Sequence, residues 1–90
     1  MPDINIRSEE TPNPNARRYL VNRGVQDQAK GRFFVSGAQT QEPLADALLA
    51  VEGIAAVMLL PGSVTVTKEN GTTWESIEPA ALGVIEQQLA

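Results

Sequence analysis

No cysteine and no histidine occurs anywhere in the 90 residues of this chain. The first absence removes disulfides, thiolate nucleophiles and iron–sulfur ligation by thiolates. The second removes the commonest general base, and with it the usual Cys–His and Ser–His pairings. Zinc, haem and copper sites are built from the same two residue types, so no metal site and no cofactor is expected. Carboxylates are present but scattered, without the spacing of a calcium loop. The seven glycines are too dispersed to make a phosphate-cradling loop, which argues against nucleotide binding. No apolar run approaches the roughly 20 residues that a membrane helix needs. The opening MPDINIRSEE has no apolar signal core, so a cytoplasmic protein is expected, with no membrane partner.

What the chain does contain suits one small domain, residues 1–90. Hydrophobic residues make up 42% and charged residues 20%, enough for a core without staples. Net charge is −4, unevenly spread. Residues 1–32 hold six of the seven basic groups and sum to +2, whereas residues 33–90 sum to −6. A nucleic-acid binder needs a dominant basic field, which is missing. The small basic group Arg17, Arg18, Arg23, Lys30 and Arg32 is either a solvated face or a dock for an acidic partner.

Alternation of Ile4 and Ile6 with polar neighbours predicts a strand through about residue 10, and Ala16 to Val21 predicts a second. The short run RFFVS reads as a third strand, with its two phenylalanines anchoring the core. EPLADALLAVEG is the clearest helix: Glu42 at the cap, Pro43 in the first position, Leu44, Leu48 and Val51 on one face, and Gly53 as a left-handed stop. Two β-prone runs, Ile54 to Leu60 and Ser63 to Lys68, flank Pro61-Gly62 as a hairpin, with Val64 and Val66 facing one way and Thr65 and Thr67 the other. A last helix carries Ile77, Leu82, Ile85 and Leu89 on one face. Pro79 is costly deep in a helix, so the start is placed at Glu75 or Ser76, with Trp74 at the entrance and its N–H reaching a carbonyl or water. The order ββ(β)αββα predicts an α+β two-layer sandwich: a mostly antiparallel sheet of four to five strands with both helices on one face.

The stretch ETPNPNARRY is the conspicuous one. Pro12 and Pro14 fix their own φ and push Thr11 and Asn13 toward extended backbone, while Asn13 and Asn15 bond nearby backbone. It is either a rigid hairpin corner or a preorganised surface presenting Asn13, Asn15, Arg17 and Arg18 to a partner. An exposed sheet edge is a second candidate, for a partner strand or a second copy. Catalysis finds no support: the serines have no base at readable spacing, and Glu9 and Glu10 face opposite ways on a strand.

ETPNPNARRY, EPLADALLAVEGIAAV and VTVTKENGTTWESIEPAALGVI occur in the order seen in one family. Thr11-Pro12-Asn13-Pro14, Pro43-Leu44-Ala45, Thr65-Val66-Thr67-Lys68, and Trp74 followed by Pro79 are the specific parts. On these the chain resembles the N-terminal domain of the Nfu/NifU-like iron–sulfur scaffold family, as a stand-alone domain. The resemblance implies a compact α+β fold and a place in iron–sulfur cluster assembly or delivery. It also implies that the cluster-binding Cys-x-x-Cys lies in a separate C-terminal domain, so the scaffold activity itself does not carry over to a chain without cysteine. Val57, Met58 and Leu59 stand where the family often has aromatic residues, which implies a lighter core. Arg18-Tyr19 matches a basic-plus-aromatic pair, Tyr19 structural and Arg18 available for contact. The expected function is a non-catalytic interaction module docking onto an iron–sulfur carrier or client. The rival is a structural or homodimerising domain with no iron–sulfur role, and a third class is an enzyme with two acids in a deep pocket.

Overall fold

A computed structural model describes residues 5–22, 24–25, 30–37 and 42–89. Ile4 and Arg23 lie outside these. Seven elements follow in order: β1 (Ile6–Glu10), β2 (Ala16–Val21), β3 (Arg32–Val35), α1 (Pro43–Leu49), β4 (Ile54–Leu60), β5 (Ser63–Lys68) and α2 (Trp74–Leu89). The strands form one antiparallel sheet in the order β1-β2-β5-β4-β3. The expected order ββ(β)αββα is therefore realised with all five strands, as an α+β sandwich.

Register decides which side chains share a face, because cross-strand partners point the same way. Glu10, Arg17, Val66, Val57 and Phe34 form one row on the helix side. Glu9, Arg18, Thr65, Met58 and Phe33 form a row on the other side. Tyr19, Val57, Leu59, Val64 and Val66 are fully buried and join Leu44, Leu48, Ile77, Ala81 and Ile85 of the helices in one cluster. Each buried Val, Leu or Ile of this cluster contributes about 1.5–3 kcal/mol when removed from water. A register shift between Ile54 and Ala56 inserts one extra residue, which turns Ile54 to the helix side, where it is buried.

Three expectations need correction, and one, Glu42 at the cap of α1, holds. α2 begins at Trp74, so Pro79 is its sixth residue. The lost helical donor strands the carbonyl of Glu75, but Glu75 and Pro79 are both exposed, and water can take its place. α1 ends at Leu49, well before Gly53; that glycine instead turns the chain into β4 with φ of 101°. Glu42 does stand at the cap but makes no side-chain cap bond, its carboxylate accepting from Arg32 at 2.8 Å. Of the two phenylalanines only Phe34 packs against the core, because Phe33 points to the helix-free side and is 58% exposed.

Candidate functional site

The Pro/Asn turn connects β1 to β2 and spends most of its polar groups on holding its own shape. The Thr11 hydroxyl lies 2.9 Å from the carbonyls of both Asn13 and Ala16, and accepts from the Asn13 N–H at 3.2 Å. Asn13 Oδ1 accepts the Asn15 N–H at 3.0 Å, the local side-chain turn that asparagine favours. The Ala16 N–H closes the turn onto the Asn13 carbonyl at 3.0 Å.

Four hydrogen bonds, involving the three residues Lys68, Asn70 and Trp74, fasten this turn to the rest of the fold. Asn15 Nδ2 donates to Asn70 Oδ1 at 2.7 Å, and Lys68 Nζ donates to Asn15 Oδ1 at 3.0 Å. The Lys68 N–H donates to the Asn15 carbonyl at 2.7 Å. From α2, Trp74 Nε1 donates to the Pro14 carbonyl at 3.2 Å. The indole thus reaches a carbonyl as expected, and the carbonyl belongs to the conspicuous turn. Pro12, Asn13 and Pro14 remain exposed at the tip.

Beneath the turn, on the helix side, Arg17 stacks over Trp74 with 4.7 Å from guanidinium carbon to ring centroid. Its Nη1 donates to Glu78 Oε2 of α2, and the Tyr19 hydroxyl donates to the same oxygen at 3.0 Å. One carboxylate oxygen therefore ties β2 to α2 through two side chains of that strand. Burial, and then the Glu78 carboxylate, push the Tyr19 hydroxyl's pKa far above that of a free phenol. Shallow depressions of about 340 Å³ lie on either side of the Arg17–Trp74 stack, one lined by the turn and one by Thr73, Glu75 and Glu78.

Arg18 is placed differently. It lies on the helix-free face, where Nη1 meets Glu9 Oε1 at 3.2 Å, and its Nε is buried without a hydrogen-bond partner. The structure thus brings Asn13, Asn15 and Arg17 together with Trp74, and sends Arg18 to the opposite side of the same strand. Lys30 and Arg32 lie toward the far edge of the sheet, Arg32 in its ion pair with Glu42. Glu78, Asn70 and Lys68 carry no local sequence signal as members of this site; only the fold brings residues 53 to 59 positions apart into contact.

Another depression, about 590 Å³, is lined by Glu52, Glu69, Thr72, Ser76 and Ile77 among others. Both acids are exposed. Among the described residues no helix is long and apolar enough to cross a membrane.

The family model described as scaffold protein Nfu/NifU N terminal matches residues 6–90. The chain belongs to this family. It is 37% identical over 83 residues to a protein of Drosophila ananassae named NFU1 iron-sulfur cluster scaffold homolog, mitochondrial, covering 89% of this chain and 28% of that one. A NifU-like protein of Schizosaccharomyces pombe is 34% identical over 87 residues, covering 94% of this chain and 34% of its own. The chain therefore spans only about three-tenths of the length of these relatives. Among solved structures, the crystal structure of SAV1430 from Staphylococcus aureus superposes with a TM-score of 0.79 over 90% of this chain and 98% of that one. At 24% identity that likeness shows the fold.

Proposed function

We propose that this domain is a non-catalytic docking module accessory to iron–sulfur cluster assembly or delivery, recognising a protein carrier or client and supplying no cluster ligand of its own. The observation that carries this reading is the family match across residues 6–90, in a chain without cysteine or histidine. The names of the fly and yeast relatives, a cluster scaffold homolog and a NifU-like protein, supply the iron–sulfur connection.

The contact surface in this reading is the Asn13/Asn15 turn with Arg17 and Arg18, in distinct roles. The exposed tip from Pro12 to Pro14 meets the partner together with Arg18 on the helix-free side. Arg17 acts from below: its stack on Trp74 holds the indole that bonds the Pro14 carbonyl. A tip fixed by so many bonds loses little entropy on binding, which is what preorganisation contributes to affinity.

The test is affinity capture from native extract, with mass spectrometry of what co-purifies. The wild-type domain retains an iron–sulfur carrier or client, and Arg18→Glu retains several-fold less of it. Undiminished capture by Arg18→Glu argues against the surface; capture of nothing connected with iron–sulfur proteins argues against the function. Cytoplasm is our assignment of compartment. The relatives from fly and human are named mitochondrial, and cell fractionation decides between the two.

A further inference from the structure

The two edges of the sheet are protected unequally. β1, at one edge, carries Arg7, Glu9 and Glu10 within five residues, and such charge discourages addition of another strand. β3, at the other edge, is the four-residue run Arg32–Val35. Its one charge, Arg32, lies on the helix side in an ion pair with Glu42. Phe33 and Val35 are the exposed large hydrophobics of the described chain, at 58% and 49%. Both lie on the helix-free side, Phe33 beside Met58 and Val35 beside Ala56.

The backbone of this edge has a readable polarity. The Ser36 N–H donates to the Ala55 carbonyl at 2.8 Å, and the same register pairs Phe34 with Val57. Alternation along a strand then directs the N–H and C=O of Phe34 toward β4, and those of Phe33 and Val35 outward, where β3 has no neighbouring strand among the described residues.

We propose that this edge pairs with β3 of a second copy of this chain, antiparallel about a two-fold axis at Phe34, making one continuous sheet. Phe33 of each copy stands opposite Val35 of the other, and the two Phe34 side chains meet on the helix side. The outward amides and carbonyls of the two Phe33–Val35 pairs make four hydrogen bonds. The edge complements itself: the register that aligns its hydrogen bonds also aligns its apolar side chains, and the strand's own charge, Arg32, is turned to the helix side. The assembly closes at two copies, because the edge left over on each is the charged β1.

A four-residue edge buries on the order of 300–400 Å² per copy, well short of the roughly 800 Å² of a stable interface. The dimer is accordingly weak, with a dissociation constant on the order of 0.1–1 mM. Each copy carries a net charge of −4, so the dimer tightens as salt screens the repulsion. None of this rests on the docking reading above, whose turn joins β1 and β2 at the far edge.

Sedimentation equilibrium from about 20 µM to about 2 mM brackets that range. It is run at roughly 0.05 M and 0.5 M salt, a span over which screening changes strongly. Two variants accompany the wild type, with circular dichroism to confirm the fold. Val35→Pro deletes an outward N–H and leaves the ladder to β4 in place. Phe33→Lys sets a charge on the edge, and decides alone should the proline variant not fold. The wild type is expected to dimerise, more at high salt, with the Phe33 and Val35 amide resonances moving as concentration rises. Each folded variant is expected to weaken dimerisation at least about tenfold, the loss of more than one of these edge contacts. A monomer at every concentration overturns the proposal, as does a dimer that both variants leave intact. A monomer whose β3 amides move only when a partner's extended segment is added assigns the edge to that segment instead.

Discussion

Arg17 and Arg18 are neighbours in the chain and opposites in the fold. Arg17 lies under α2, stacked on Trp74 and bonded to Glu78, with its side chain 23% exposed. Arg18 lies on the uncovered face against Glu9, 44% exposed. The same residue type, one position apart, is a structural brace on one side of the sheet and a surface charge on the other. The difference comes from the two-residue period of a strand and from helices that cover a single face. Sequence adjacency therefore says little about shared function on a strand, and the two faces are expected to respond very differently to the same substitution.

Truncation of the core should show the largest contrast. Leu48→Ala empties a fully buried position between α1 and the sheet, and is expected to cost about 2–5 kcal/mol. Met58→Ala, on the helix-free side, is half-buried with no layer above it and should cost about 1 kcal/mol or less. Urea unfolding monitored by circular dichroism measures both. Equal losses would mean that the helix-free face is covered in solution, and that the two-layer description is incomplete.

Next in size is the bond between sheet and α2. Glu78→Ala leaves the Arg17 guanidinium and the Tyr19 hydroxyl without their shared acceptor, an expected loss of about 1–3 kcal/mol. Glu9→Ala, which breaks the exposed pair with Arg18, should cost about 0.5 kcal/mol or less. The covered face also carries a pH signature. Tyr19 holds its proton more tightly when folded than unfolded, first through burial and then through Glu78. The stability linked to it is fully present below the phenol's unfolded pKa of about 10, and falls as pH rises beyond that toward the folded value. Melting curves above that pH should decline more steeply for the wild type than for Tyr19→Phe; parallel curves would mean that Tyr19 is not held in this way.

Much of this contrast was legible beforehand, through periodicity. Strand boundaries at Ala16–Val21, Ile54–Leu60 and Ser63–Lys68, and the inward turn of Val64 and Val66, follow from alternation and from the Pro61-Gly62 turn. The same alternation, applied to Glu9-Glu10, already implied that Arg17 and Arg18 diverge. Three things were not legible. RFFV has no alternation, so nothing local tells Phe33 from Phe34; the register with β4, which sets Phe34 beside buried Val57 and Phe33 beside Met58, decides it. The cost of proline inside a helix puts the start at Glu75 or Ser76, but nothing local shows that Pro79 and the Glu75 carbonyl it strands both lie on an exposed face. Glu78 looks like any solvated glutamate until α2 is laid over β2, since its partners Arg17 and Tyr19 are some 60 residues away.

The smallest expected effect is at Arg18 itself, and it separates stability from recognition. Arg18→Met keeps an unbranched stem over the sheet and removes the charge. What is lost is one exposed ion pair, of little worth in water. What is relieved is the buried Nε that finds no acceptor, a desolvated donor with a cost of its own. The two should nearly cancel, leaving the change within about 0.5 kcal/mol, or roughly 2–4 °C in Tm for a domain of this size. Arg17→Met, by contrast, strips Glu78 of its cation and Trp74 of its stack, and should cost about 1–2 kcal/mol. Differential scanning calorimetry of the two variants makes the comparison directly. A melting loss at Arg18 as large as at Arg17 would show that the uncovered face bears structural weight of its own, and would remove the ground for treating Arg18 as a residue free to meet a partner.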